Sequence, residues 1–260
     1  MSLELIEVSK SYRLSGQSLF RAKREMAVMN VSCSLEEGRT LGIVGSSGSG
    51  KSTLGKLIVG LVKPDAGDIR YKGESLLRPQ ARQRLFSELQ MVFQDSRSAV
   101  NSRMTIKDIV AEPIQHRERL TSSQLTKRVG DLLTAVELRP EEMNGYPHQI
   151  SGGQLQRVCI ARALAAKPRL IVWDEAISSL DAMTQWQMIQ LLQRLQKEYA
   201  MSYVFITHNL QAVRHLADEL IVMSRGAVVE HLQDAKHLDQ LRHPESQRLV
   251  QAMLTSYRST

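Results

Sequence analysis

The 260-residue chain has only two cysteines, seven prolines and 5% aromatic residues. Cys33 and Cys159 stand 126 positions apart, and neither belongs to a CxxC pair or to a Cys/His cluster with metal-ligand spacing. A disulfide framework and a structural zinc site are excluded, and both residues read as reduced core side chains of a cytosolic protein. Also missing is any run of the roughly 18 to 20 apolar residues that a membrane-spanning helix needs. The opening Met1-Ser2-Leu3-Glu4 lacks a basic region followed by an apolar stretch, so the expectation is a chain that neither crosses a membrane nor is exported. The seven histidines (His116, His148, His208, His215, His231, His237 and His243) are scattered, with no i, i+4 pair that would suit a transition metal. Acidic residues are outnumbered 27 to 34 by lysine and arginine, a formal charge of +7. That excess suits a nucleic-acid partner, an anionic membrane surface or simple solubility, and composition does not choose among them.

What is present belongs to a folded chain. Apolar residues make up 42% and charged residues 23%, and the length suffices for one large domain or for one domain with an inserted lobe. From Met26 to Leu35 the positions Ala27, Met29, Val31, Cys33 and Leu35 are apolar and alternate with polar ones, which predicts a half-buried strand closed by the turn Glu36-Glu37-Gly38. Leu3 to Tyr12 is its expected partner, with Arg13 to Glu25 an exposed loop carrying the basic cluster Arg21, Lys23 and Arg24. Four short apolar runs, Thr40–Gly45, Gln90–Phe93, Leu170–Trp173 and Tyr203–Thr207, read as fully buried parallel strands. Helical periodicity separates them at Lys51–Leu61 and at Gln185–Leu195, where Trp186, Ile189, Leu191, Leu192 and Leu195 recur. Alternating strand and helix predicts an α/β core with a mainly parallel sheet. The interval 96–147 is helical in pattern and has no strand-like run, so it is expected to form an inserted α-helical subdomain. A last hairpin around Arg225-Gly226 and one or two helices close the chain.

Gly45-Ser46-Ser47-Gly48-Ser49-Gly50-Lys51-Ser52 matches the phosphate-binding loop pattern, between a buried strand and a helix as the physics requires. Its glycines let the backbone curl so that successive N–H groups face phosphate oxygens, and the helix N-terminus adds partial positive charge. In such a loop Lys51 reaches the β and γ phosphates, the Ser52 hydroxyl ligates Mg²⁺ and Thr53 bonds the α phosphate. The site is one for a nucleoside triphosphate. About 120 residues later, Ile171-Val172-Trp173-Asp174-Glu175 ends a buried strand in two carboxylates, as a Mg·ATP hydrolase requires. Asp174 is expected to hold Mg²⁺ through water, and Glu175 to orient and deprotonate the attacking water.

The stretch Ile150-Ser151-Gly152-Gly153-Gln154-Leu155-Gln156-Arg157, 20 residues before the acidic strand, resembles the signature motif of ABC ATPases. Over nearly the whole chain the resemblance implies further parts. Gln94 is similar to the Q-loop glutamine that joins the Mg²⁺ site to the membrane subunits. Ser179-Leu180-Asp181 resembles the D-loop, His208 the switch histidine at the γ phosphate, and Tyr12 the aromatic residue that stacks on adenine. The family pattern also implies a P-loop NTPase core with an N-terminal antiparallel β subdomain, all within a single ABC ATPase domain. Residues 1–95 and 148–230 would form the RecA-like core with that β subdomain, 96–147 the helical subdomain and 231–260 the C-terminal helices. In this family two ATPase subunits close head to tail around two ATP molecules, so Ser151, Gly152, Gly153 and Gln154 of one chain face the ATP held by its partner.

Val92-Phe93-Gln94-Asp95-Ser96, Ser98-Ala99-Val100-Asn101 and His243-Pro244-Glu245-Ser246-Gln247-Arg248-Leu249 look like the peptide and nickel import branch. The run Gly152 to Ala165 is most similar to the second ATPase subunit of the nickel importer. The partners this implies are a second, paralogous ATPase subunit, two membrane permease subunits and an extracytoplasmic solute-binding protein, with the chain peripheral on the cytoplasmic face of the inner membrane. A dipeptide or oligopeptide importer is the alternative. ABC ATPases that act on nucleic acid usually carry two cassettes, coiled coils or zinc sites, none of which is here, so no nucleic-acid partner is expected. Three positions depart from the family pattern: Ala176-Ile177 follow the acidic pair in place of Pro-Thr, Ile150 opens the signature in place of leucine, and Asn209 follows the switch histidine in place of aspartate.

Overall fold

Leu3, Leu5 and Val8 on β1 (Leu3–Arg13) and Val28, Val31 and Leu35 on β2 (Arg24–Leu35) are buried between two antiparallel strands in a computed structural model that describes residues 2–13, 24–178 and 180–257. The alternation expected through Ala27 and Met29 fails there: Val28 is buried and Met29 is 44% exposed. Asn30 has φ 49° and the register slips between Val8 and Lys10, so a bulge moves the apolar set by one residue. The Ser9 hydroxyl holds that bulge by accepting the Asn30 N–H at 2.9 Å. Pairing continues to Arg13 opposite Arg24, so Arg13, Arg24 and Glu25 are strand residues and not loop. Arg21 and Lys23 lie outside the described residues.

The chain goes on through β3 (Thr40–Gly45), α1 (Lys51–Ile58), β4 (Ala66–Tyr71), β5 (Glu74–Ser75) and α2 (Pro79–Leu85). Next come β6 (Leu89–Val92), α3 (Ile106–Gln115), α4 (Ser122–Ala135), α5 (Gly152–Ala165), β7 (Leu170–Asp174) and α6 (Ala182–Tyr199), with 3-10 turns at Pro140–Asn144 and Pro147–Gln149 ahead of α5. It ends with β8 (Ser202–Ile206), α7 (Leu210–Leu216), β9 (Glu219–Ser224), β10 (Ala227–Leu232) and α8 (Pro244–Tyr257). Two compact units result, one from residues 1–86 with 202–260 and one from residues 87–201.

In the first unit, antiparallel pairing gives the order β2-β1-β4-β5, and β3 lies between β8 and β9, parallel to both, with β10 antiparallel to β9. Every residue of β3 and β8 is buried, as an interior parallel strand requires. Gly42 lets α7 approach: a Cβ there would stand 2.8 Å from Val213 Cγ1 and 3.1 Å from Ala217 Cβ. Helix α1 stops at Ile58, short of the expected Leu61. Gly60 takes φ 71°, and the Leu61 N–H bonds back to Lys56 O at 2.9 Å, a glycine-terminated helix end.

In the second unit β6 and β7 run parallel, and α3, α4 and α5 pack on one another. Strand β7 is buried throughout, whereas β6 leaves Gln90 and Met91 half-exposed and is not the fully buried strand expected. Helix α6 is longer than its apolar pattern, starting at Ala182 after the Asp181 cap and ending where Ala200 turns left-handed at φ 49°. Its core side is Met188, Ile189, Leu191, Leu192 and Leu195, while Trp186, counted with that face from the sequence, is 45% exposed.

Candidate active site

The phosphate loop joins β3 to α1 in the first unit, and its shape is held from outside. Gly50, at the helix N-cap, has φ 100°, and a Cβ on it would fall 2.0 Å from the carbonyl oxygen of Ala27. Gly45 has φ 156°, and a Cβ there would meet Met223 O at 2.2 Å. The β9–β10 turn closes the clamp: Gly226 N–H donates to Ser49 O at 3.0 Å, and Met29 N–H to Gly226 O at 2.7 Å. Inside, the buried Lys51 ammonium donates to Gly45 O (2.9 Å) and Ser46 O (2.8 Å), while Ser49 is also buried. Ser46, Ser47, Gly48 and Ser52 are exposed and Thr53 half-buried, so the outer lip of the loop is open to a ligand.

His208 lies beside this loop in the parallel sheet. The Thr207 N–H bonds Ile43 O at 3.1 Å, so the chain leaves β8 next to the end of β3, with His208 exposed. Asn209 caps α7, its Oδ1 accepting the N–H groups of Gln211 (2.9 Å) and Ala212 (3.3 Å). Tyr12 is 42% exposed near the end of β1, with the Lys10 ammonium 5.8 Å from its ring centre.

The second unit places Gln94, Asp174 and Glu175 at the carboxyl ends of two parallel strands. Val92 pairs with Trp173, so Gln94 and Glu175 each lie two residues beyond that pair. Asp174 is 6% exposed and Gln94 exposed. Glu175 is half-buried with φ 51°, a left-handed conformation that a non-glycine residue adopts at a cost and that clusters at functional sites. Beyond Gln94, the Asp95 Oδ1 accepts the N–H groups of Ser98 and Arg97, and these bonds, those to Ser98 first, hold that carboxyl below its usual range. In the D-loop, Ser179 lies outside the described residues and Leu180 is half-buried. Asp181 caps α6: its carboxylate accepts the hydroxyl (2.6 Å) and N–H (3.0 Å) of Thr184, which lower its pKa.

The signature segment starts α5. Ser151 is the N-cap, and its Oγ accepts the Gln154 N–H (3.2 Å) while Gln154 Oε1 accepts the Ser151 N–H (2.9 Å), a reciprocal capping box. Ser151 and Gly152 are exposed. Among the described residues outside the helix's own turn, nothing comes within 4 Å of a Cβ built on Gly152, and one on Gly153 meets Thr184 Cγ2 at an ordinary 3.8 Å. The subunit's own packing therefore does not call for these glycines, each of which costs a helix about 1 kcal/mol relative to alanine.

The ABC transporter family matches residues 28–178, from within β2 through the phosphate loop and the signature to the turn after Glu175. The chain belongs to the ABC transporter family. It is similar to the nickel import ATP-binding protein NikE of Brucella suis biovar 1, with 41% identity over 252 residues, 96% of this chain and 93% of that one. It is likewise similar to the oligopeptide transport ATP-binding protein OppF of Lactococcus lactis subsp. lactis, 42% over 230 residues, 88% of this chain and 72% of that one. Among solved structures, the ATP-binding cassette MJ0796, a dimer in a post-hydrolysis state bound to ADP and Pi, matches with a TM-score of 0.79 and 30% identity, over 88% of this chain and 97% of that one. As an ABC cassette the chain binds ATP and hydrolyses it in the service of transport. The expected fold class, a P-loop α/β core with an antiparallel N-terminal sheet and helices, is the one found.

The three departures from the ABC pattern have local explanations. Ala176 and Ile177 are buried at 3% and 1%, and Ile177 O accepts the Gln185 side chain at 3.0 Å, so the pair fills the core under α6. Ile150 is half-buried just before the Ser151 cap. Asn209 serves α7 as well as aspartate would, the two being equal N-cap residues. Sequence reading passed over Glu142, whose carboxylate accepts Gln154 Nε2 at 2.8 Å. Its only trace in the sequence is the Arg139-Pro140-Glu141-Glu142 string, a proline followed by acids that marks a helical turn.

Proposed function

We propose that this chain powers the import of nickel, free, chelated or metallophore-bound, through a bacterial inner-membrane ABC transporter. The observation that carries the reading is the 41% identity to a nickel import protein along 96% of the chain, with 93% of that protein covered. The similarity to an oligopeptide transport protein favours a dipeptide or oligopeptide importer as the second reading. Nickel is cargo and is not expected to bind here, because no group of three or more His, Cys, Asp or Glu side chains capable of holding a metal exists among the described residues.

The proposed roles follow from placement. The N–H groups of Gly45 to Gly50 and the Lys51 ammonium receive the phosphates, Thr53 bonds the α phosphate, and Tyr12 stacks on adenine. Ser52, Gln94 and Asp174 present a hydroxyl, an amide and a carboxylate, hard oxygen donors of the kind Mg²⁺ takes. Bound there, Mg²⁺ would neutralise charge on the phosphates. Glu175 orients and deprotonates water, and His208 contacts the γ phosphate. Ser151, Gly152, Gly153 and Gln154 serve the site of a partner, and the open space beside Gly152 supports a close approach by another molecule. Ser179-Leu180-Asp181 serve as the D-loop. That partner is a second, paralogous ATPase subunit, and the pair works on two permease subunits supplied by an extracytoplasmic binding protein. The chain is held at the cytoplasmic face of the membrane by the permeases; no helix among the described residues is long and apolar enough to cross a membrane. Residues 96–147 serve as the helical subdomain, 1–95 and 148–230 as the core, and 231–260 as the C-terminal helices.

ATP turnover by the complete transporter in lipid, compared with nickel chelates and with short peptides, tests this reading. Stimulation by nickel chelates alone is expected. Stimulation by peptides alone would move the chain to the peptide branch.

A further inference from the structure

Both ends of the Gln154 amide are committed within the chain. Its Oε1 accepts the Ser151 N–H at 2.9 Å, and its Nε2 donates to Glu142 Oε1 at 2.8 Å. The other carboxylate oxygen of Glu142 accepts the Arg139 N–H at 2.8 Å. Since an ionised carboxylate can only accept, the bond to Glu142 fixes which end of the amide faces which neighbour, and with it the oxygen that holds Ser151. The 3-10 turn Pro140–Asn144 is thereby linked to the signature turn through one charge-assisted bond. Meanwhile the Ser151 oxygen already accepts the Gln154 N–H, so its own proton is left to be donated elsewhere.

We propose that Glu142 is a positioning residue for the ABC signature. It sets the Gln154 amide, which sets the Ser151 turn, so that the Ser151 hydroxyl donates outward to the γ phosphate held by the partner subunit. This rests on the reading of Ser151 as a contributor to the partner's site. Glu142 itself touches no nucleotide, and Gln154 acts mainly through Ser151. The cluster borders an open cavity of about 550 Å³ lined by Arg139, Glu142, Gln149, Ile150 and Gln154, so shortening Glu142 admits solvent and leaves no void in a core.

The test uses the assembled transporter in lipid for turnover, and the isolated full chain for thermal stability and for binding of a fluorescent ATP analogue. Glu142→Ala is expected to lower kcat about tenfold, the worth of one charge-assisted hydrogen bond, with KM, analogue binding and Tm unchanged. Glu142→Gln, which keeps one acceptor oxygen, should recover part of that loss. Gln154→Ala, which also removes the Oε1 bond to the Ser151 N–H, should lose at least as much as Glu142→Ala, and the double variant should lose no more than Gln154→Ala, because Glu142 acts only through that amide. If Ser151→Ala lowers kcat while Glu142→Ala does not, the signature reading stands and the role of Glu142 is wrong. If Ser151→Ala leaves kcat unchanged, the signature reading falls and takes the proposal with it. A Glu142→Ala variant that loses Tm and analogue binding along with kcat would make Glu142 structural and overturn the proposal.

Discussion

Glu175 and Gly50 carry unusual backbone conformations where the chemistry is placed, and they differ in kind. Glu175 takes φ 51° at the end of a wholly buried strand, which aims a carboxylate out of a rigid support. Replacing it with glutamine keeps shape and removes the base, so Glu175→Gln should bind ATP normally and turn over about 10² to 10⁴ times more slowly. Steady-state hydrolysis beside nucleotide binding checks this, and normal turnover would remove Glu175 from its role. Gly50 has both a left-handed φ and no room for a side chain, with Ala27 O 2.0 Å from its would-be Cβ. Gly50→Ala should therefore destabilise the chain by about 2 kcal/mol or more and weaken ATP binding, visible in a thermal melt and a nucleotide titration. Both positions stood out in the sequence because their neighbours form a pattern. Glu142 did not, since one glutamate eight residues ahead of the signature looks like any surface acid until Gln154 is seen against it.

Strand pairing and helix ends decide how far the sequence could be read at the scale of elements. Runs such as Leu170–Asp174 were legible because a strand buried on both faces is apolar at every position. Strand β2 was legible only in part. Its alternation assumes an unbroken pleat, and the bulge at Asn30 exposes Met29 and buries Val28. Strands β4 and β5 and helix α2 were not read at all, being short and holding few apolar residues. The burial of Ile69 and Tyr71 against β1 is a product of pairing across more than 60 residues of sequence. One side chain at that seam has a pH signature. Asp65 accepts hydrogen bonds from Lys10 Nζ (2.7 Å), the Ser11 N–H (2.9 Å) and the Ser11 hydroxyl (2.8 Å), of which the Lys10 bond does most to hold its carboxyl far below the usual range. A folded-state pKa below the unfolded value of about 4 gives stability that is complete above that pH and fades as the pH falls below it. Wild type should exceed Asp65→Asn in denaturant midpoint at pH 7, with the gap shrinking between about pH 4 and pH 2. A gap that widens with acid would contradict this.

At the scale of the whole molecule, the sequence revealed most about what the chain does and least about how its parts are braced. The phosphate loop, the acidic pair and the signature are contiguous strings, so order and spacing suffice to identify them. The clamp on the loop is not a string. It brings Ala27 of β2 and Gly226 of the β9–β10 turn onto Ser49 and Gly50, positions scattered across 200 residues that only the fold assembles. In the proposed function, ATP joins this chain to a partner whose signature completes its site, and hydrolysis releases the pair. The most direct measurement is the solution mass of the Glu175→Gln chain mixed with its partner ATPase subunit, with and without ATP and Mg²⁺. A two-chain species at saturating ATP, falling to single chains when nucleotide is removed and absent for a Ser151→Ala variant of both subunits, is the predicted result. Single chains at saturating ATP, with nucleotide bound, would contradict the account.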